Sequence, residues 1–310
     1  MILWRILYTS MLWIKRCTIS FHLAGIIPVS SIPLEYDLPY HPCLLPLDDN
    51  YLMIHRSIME CAYAGCETIW IVADPDITPI FKKVVGDYVY DPINYYRALD
   101  PDKMAKRTMI PIFFTTMEVK NRGKRDSYGW SIIEGAYMAY RVSNQLSKWI
   151  IPNMYYVSFP WALYPPEIVR EYRKSISSEK KFIITANGEG VKENKYLGFT
   201  LDQQDFINCR AHVRKEGTGM YVPGGKLNDA GIPREVLPPE ERWSAKKFNL
   251  SEVFSQLGTP MVTHDLSYYY DVTSFEGYKK WAASQIEISK PPVEKWITPS
   301  RYKKSLLQFE

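Results

Sequence analysis

The sequence lacks any apolar run of about 18 residues, the length a helix needs to cross a bilayer. Its most apolar stretch, residues 1–20, is broken by Arg5, Lys15 and Arg16. Lys15 and Arg16 fall where the core of a secretion signal would continue. Neither a membrane span nor a signal peptide is expected, and the expected compartment is the cytoplasm. Cysteine pairing is lacking too. The five cysteines, at 17, 43, 61, 66 and 209, are odd in number and none shows the two-residue spacing of a zinc or redox motif. Buried, reduced thiols are the expectation. The five histidines (22, 41, 55, 212, 264) show no helical ligand spacing, so no metal site is expected from them. Sixteen glycines and 22 prolines follow no period, which excludes collagen-like and low-complexity chains. No repeat of 20–50 residues appears. Excess charge is small: 38 Lys+Arg against 34 Asp+Glu leave +4. That balance permits an anionic ligand without marking a nucleic-acid binder.

What is present is a globular composition. The 310 residues are 46% hydrophobic and 23% charged, enough for a large core without disulfide staples. Length allows one large domain or two small ones. Aromatic residues make up 14%, including 23 Tyr and 9 Trp. These rings serve a core, or a stacking surface for bases or sugars.

Apolar, β-branched runs predict strands at 21–29 (FHLAGIIPV), 68–73 (TIWIVA), 108–115, 154–159 (MYYVSF) and 181–186 (KFIITA). Pro111 would place the third at an edge or a bulge. Helices are expected over 51–64, capped by Asn50 or Asp49 and ended by Gly65, and over 78–85, 131–146 and 167–175. Residues 87–106 read as an excursion. The alternation predicts an open, mostly parallel α/β sheet with helices on both faces. Further on, 202–213 reads as a helix and 216–245 as a flap or long loop. A helix at 250–257, a strand at 263–272 and a helix at 275–283 follow. Residues 1–20 form an N-terminal extension, 21–290 the α/β domain and 291–310 a tail.

The order of short motifs resembles sugar-nucleotide nucleotidyltransferases, the enzymes that make nucleoside-diphosphate sugars. The pieces are Gly25-Ile26-Ile27, Leu44-Leu45-Pro46, Ala64-Gly65, the run 69–72, Thr78-Pro79 and Gly86-Asp87. Residues 126–136 (DSYGWSIIEGA) resemble the family's helix under the nucleotide. Asp271, Thr273 and Tyr278 match its C-terminal stretch. The resemblance spans about 21–285 with gaps. It implies the glycosyltransferase-A-like nucleotidyltransferase fold, a nucleotide or nucleotide-sugar ligand, and magnesium. Three family features are replaced. The glycine-rich phosphate loop is Val29-Ser30-Ser31-Ile32-Pro33, the lysine before "LLP" becomes His41-Pro42-Cys43, and the aspartate ending the fourth strand becomes Val157-Ser158-Phe159-Pro160.

Candidate nucleotide-binding residues are Ser30 and Ser31 after the first strand, with Lys124, Arg125, Asp126 and Ser127. The basic run Lys120-Asn-Arg122-Gly-Lys124-Arg125 precedes a helix N-terminus, where free N–H groups and cations attract phosphate. The same run reads equally as a solvated loop. Asp48, Asp49, Asp74 and Asp76 could hold a cation or simply cap and turn the chain. His264 beside Asp265 offers a general base or a structural ring. Gly217-Thr-Gly219 and Gly224-Gly225-Lys226 offer a mobile flap or a surface loop. No catalytic residue is assigned. Three functions stay open: nucleotidyl transfer to a sugar phosphate, glycosyl transfer from a nucleotide-sugar with an acceptor that could include nucleic acid, and non-catalytic binding on an inherited fold. Oligomeric state is left open.

Overall fold

Buried β-branched and aromatic runs dictate the centre of the molecule. A computed structural model describes residues 21–30, 36, 38–95, 109–122, 125–146, 150–216 and 261–288, shorter pieces between 218 and 258, and 297–298. The extension 1–20, most of 216–245 and nearly all of the tail lie outside the described residues. In chain order the main strands are β1 (Leu23–Pro28), β2 (Thr68–Val72), β3 (Tyr88–Tyr90), β4 (Met109–Thr115), β5 (Met154–Val157), β6 (Lys181–Ala186), β7 (Phe199–Leu201), β8 (Met261–Leu266) and β9 (Ile297–Thr298). They form one sheet in the order β8-β6-β7-β5-β1-β2-β4-β3-β9. β1 pairs in parallel with both β2 and β5, and β2 with β4. β7 runs antiparallel to β5 and β6. β3 is antiparallel to β4 and to β9. β8 and β6 are parallel.

Helices α1 (Met53–Ala64), α2 (Thr78–Val85), α3 (Tyr128–Leu146), α4 (Gln203–Glu216) and α5 (Phe275–Ala282) complete the core set. Successive residues of a strand face opposite sides of its sheet. Gly25 and Ile26 show it. A Cβ on Gly25 would come within 2.8 Å of Cys61 Sγ on α1. On the other face, a Cβ on Gly135 of α3 would come within 2.6 Å of Val72 and 2.9 Å of Ile26. Glycine in mid-helix costs about 1 kcal/mol of propensity. Here it lets α3 approach the sheet. Helices thus cover both faces, as expected.

Four expectations need correction. The first helix starts at Met53, because Tyr51–Leu52 pairs as a short strand with Pro46–Asp48. Asn50 is the hairpin turn, at φ 55°, and not a helix cap. Pro111 is internal, since β4 lies between β2 and β3. Ile112 N–H bonds Asp87 O on the β3 side. The donor missing at Pro111 therefore faces β2 just before pairing begins at Ile112. The segment 167–175 is mostly a 3-10 helix, Pro166–Tyr172. The expected strand at 263–272 is two pieces, β8 and Tyr270–Asp271, and the second pairs with Ala162–Leu163. The excursion also holds β3, and β7 was not foreseen.

Replacing Gly135 by Ala should destabilise the protein by about 1–3 kcal/mol through overpacking, measured by urea unfolding. An unchanged midpoint would show that α3 can lift from the sheet without cost.

Candidate functional site at the carboxyl end of the central strands

The chain leaves β1 toward β2 and β4, then returns to β5 on the other side of β1. The gap between β1 and β5 is therefore the switch point of the sheet, where open α/β folds collect ligands at the carboxyl ends of strands. Ser30 and the start of α3 stand there. Ser30 N–H bonds Val72 O at 3.0 Å. Its hydroxyl lies 3.1 Å from Ser131 Oγ, and the residue is buried. It is packed against α3 and is not an open contact. Ser127 caps α3 by accepting from Trp130 N–H at 3.3 Å. Ser31 and Lys124 lie outside the described residues.

Aromatic rings line the same end. Tyr128 donates to Pro28 O at 3.1 Å and accepts from Trp161 Nε1 at 2.8 Å. Its ring touches Phe159 and Tyr196, which also touch each other. Tyr128, Phe159 and Trp161 are buried, and Tyr196 is partly buried against them. His41 is held as a neutral imidazole. Nδ1 accepts from Cys43 N–H at 3.2 Å and Nε2 donates to Val29 O at 3.2 Å. Burial lowers its pKa to about 4, against a weaker pull upward from Val29 O. His41 therefore does not replace the lysine charge of the resemblance.

Arg125 sits beside the α3 cap, and its backbone N–H and guanidinium bond Asn121. Its Nε is buried with no partner among the described residues. Burial depresses its pKa, and the charges of Arg214 and Arg210 on α4 depress it further. Arg210 lies over the Tyr137 ring at 3.7 Å, and its Nε is also unpartnered among the described residues. Glu118 serves Lys120 at 2.8 Å and reaches Arg210 only at 4.0 Å. Glu134 on α3 is fully buried, and neither carboxyl oxygen has a partner among the described residues. Burial raises its pKa, with Arg210 opposing. Asp126 stands near Asp74. Burial raises the Asp74 carboxyl, Arg122 opposes, and Asp76 and Asp126 push it up.

The end of β5 holds a different network. Glu60 on α1 is fully buried and accepts from Tyr156 OH (2.6 Å), Ser158 Oγ (2.7 Å), Tyr164 OH (2.7 Å) and Arg56 (2.8 Å). Arg56 also donates to Phe159 O and Tyr164 O. Ser158 thus spends its hydroxyl on Glu60. Hard-cation sites need several free oxygen ligands. The residues at the end of β5 do not fit magnesium. Among the described residues, no group of three or more His, Cys, Asp or Glu is arranged to hold a metal. His264 is carried by β8 at the sheet's edge, away from β1, with its ring 3.8 Å from that of Tyr172. Asp265 bonds Thr185 and Gly188 N–H.

Sequence reasoning singled out the α3 junction as a candidate and did not single out Arg210, Arg214, Glu134 or the Arg56–Glu60 pair. The spacing of Arg56 and Glu60, four residues apart on one helix, is a readable signal.

Glu60→Ala should cost about 3–5 kcal/mol, because Arg56 is left buried and unpaired; chemical denaturation reads it. His41 is lowered from 6.5 to about 4. Its contribution is fully present above pH 6.5 and is lost as pH falls toward 4. That loss is about 2–3 kcal/mol, and His41→Asn should flatten stability over this window. Glu134 has the opposite sign. Its penalty is absent in acid and grows as pH rises through its raised pKa. Glu134→Gln should therefore gain on wild type with rising pH, as read by melting curves.

No protein-family model and no curated protein matches this chain. Solved structures do. One is a protein from Bacillus anthracis assigned as a glucose-1-phosphate thymidylyltransferase and solved with sucrose. It is 10% identical, with 87% of this chain and 98% of that one covered and a TM-score of 0.49. Another is a UDP-glucose pyrophosphorylase complexed with UDP-glucose, 12% identical, covering 84% and 96% at a TM-score of 0.45. The chain is similar to sugar-nucleotide pyrophosphorylases in structure and distant from them in sequence.

Proposed function

We propose that the chain binds a nucleotide or nucleotide-sugar at the carboxyl end of β1, with its phosphates at the N-terminus of α3 beside Arg125. The observation that carries this reading is the cluster of Arg125, Arg210 and Arg214. Burial, and after it the like charges of Arg214 and Arg210, depress Arg125; Arg210 has Glu118 only at 4.0 Å, and Arg125 and Arg210 each keep a buried Nε without a hydrogen-bond partner among the described residues. Such a cluster is relieved by an anion. The capped helix start adds free N–H groups of the right polarity. Tyr196, partly buried against Tyr128 and Phe159, offers a stacking face for a base.

Binding without metal-assisted nucleotidyl transfer is the favoured form. Ser158 and Phe159 occupy the place where the resemblance implies a metal-holding carboxylate, and Ser158 is committed to Glu60. What remains for this chain's residues is to hold phosphate by charge and to orient the base.

Purified protein should be stabilised by nucleoside triphosphates or nucleotide-sugars with or without magnesium, by about 2.7 kcal/mol at 100 times the dissociation constant. Arg125→Ala should abolish most of the thermal shift. A shift that needs magnesium would return nucleotidyl transfer to the front. Hydrolysis or transfer from a nucleotide-sugar would favour a glycosyltransferase. A folded protein that shifts with no ligand would end the reading.

A further inference from the structure

Trp130, Glu134 and Tyr137 are spaced four and three residues apart on α3, so they share one face of the helix. The Arg210 guanidinium of α4 stands over both rings, at 5.9 Å from Trp130 and 3.7 Å from Tyr137. It therefore spans the turn that carries Glu134. The Glu134 carboxyl is fully buried, and neither oxygen has a hydrogen-bond partner among the described residues. Two donors at this face, Trp130 Nε1 and Arg210 Nε, are also without a partner among them. A buried carboxylate is costly unless it is paired and hydrogen-bonded. An arrangement in which carboxyl and donors stay apart fits the neutral acid.

The surroundings of Glu134 leave that charge state open to change. α3 packs against β1, β2, α4 and the Leu250–Val253 turn. β1 and β2 carry no ionisable side chain. On the turn, Glu252 accepts from Asn249 N–H at its own cap. The charges that face Glu134 are Arg210 and Arg214 from α4, with Glu118 and Lys120 from the segment before α3. Burial raises the Glu134 carboxyl, Arg210 opposes, Glu118 adds to the rise, and Lys120 and Arg214 oppose. Glu118 behaves differently. The hydrogen bond from Lys120 holds it below the usual carboxylate range, against its burial.

The cations that face Glu134 also crowd Arg125. One proton on Glu134 therefore sets how much positive charge is left for an anion. Glu134 lies six residues past Tyr128, about 9 Å along the axis from the start of α3. At that range one unit charge alters anion affinity about tenfold. We infer that Glu134 is a proton-linked control of the anion site: phosphate binds more tightly when Glu134 is protonated, and binding draws a proton from solvent onto Glu134 when it is not. The two effects are one coupling seen from either side. This inference rests on the reading of the α3 junction as an anion site.

The test titrates the full chain with sulfate, UDP-glucose and ATP by calorimetry, from about pH 5 to pH 8. Each titration is repeated in two buffers of different ionisation heat, which counts the protons taken up. Sulfate and UDP-glucose keep a constant charge over this range. The terminal phosphate of ATP titrates at about pH 6, and its share is the uptake that remains in Glu134→Gln. Affinity should fall about tenfold as pH rises, with a fraction of a proton taken up per ligand bound. Glu134→Gln should abolish both effects for sulfate and UDP-glucose, and Glu118→Gln should keep both. Binding of sulfate or UDP-glucose to the wild type without pH dependence or proton uptake overturns the inference, and needs no variant to read. A pH dependence that survives Glu134→Gln, or is lost in Glu118→Gln, overturns it too. Failure of all three probes to bind at any pH ends instead the anion reading beneath it.

Discussion

One buried ion pair organises the centre of this molecule. Arg56 and Glu60 lie on α1, four residues apart, with no exposed surface. Removing two charges from water is costly unless every lone pair and proton is satisfied. Glu60 meets most of that demand with three hydroxyls, and Arg56 gives Nε and Nη1 to two carbonyls after β5 while its Nη2 has no hydrogen-bond partner among the described residues and the guanidinium lies over the Tyr164 ring. The pair therefore fixes the strand end, the turn after it and the helix in one arrangement. Gly198 belongs to the same constraint. A Cβ there would lie 2.5 Å from Tyr156 OH and 2.9 Å from Glu60.

This constraint sets the two sides of the sheet's switch point apart. On the β5 side Glu60 accepts from three hydroxyls and Arg56. On the α3 side Arg125 and Arg210 each keep a buried Nε without a hydrogen-bond partner among the described residues. The aromatic group of Tyr128, Phe159 and Trp161 packs at the same end of the sheet.

Much of the sheet was legible in the sequence because β1, β2, β4, β5 and β6 are apolar runs with clear borders, buried along most of their length except in β4. β7 was not, since three residues, Phe199-Thr200-Leu201, carry too little pattern. The hairpin before α1 was hidden because Asn50 and Asp49 suit a helix cap as well as a turn. At the candidate site, local motifs singled out Ser30, Arg125 and Ser127. Arg210 and Arg214 were not legible, because their meeting with Arg125 joins α3 to α4, some 85 residues along the chain. Ser30 stands where the motif suggested, yet tertiary packing against Ser131 buries it.

The place of β1 in the strand order has a consequence for synthesis. One edge of β1 is covered by β2, made about 40 residues later, while the other waits for β5, about 130 residues later. Throughout the interval a ribosome-bound chain would carry an apolar central strand with an unpaired edge. Unpaired edges template association between chains. The later of the two neighbours of β1 is thus the one that closes the centre of the sheet, and crowding of nascent chains would be felt there first.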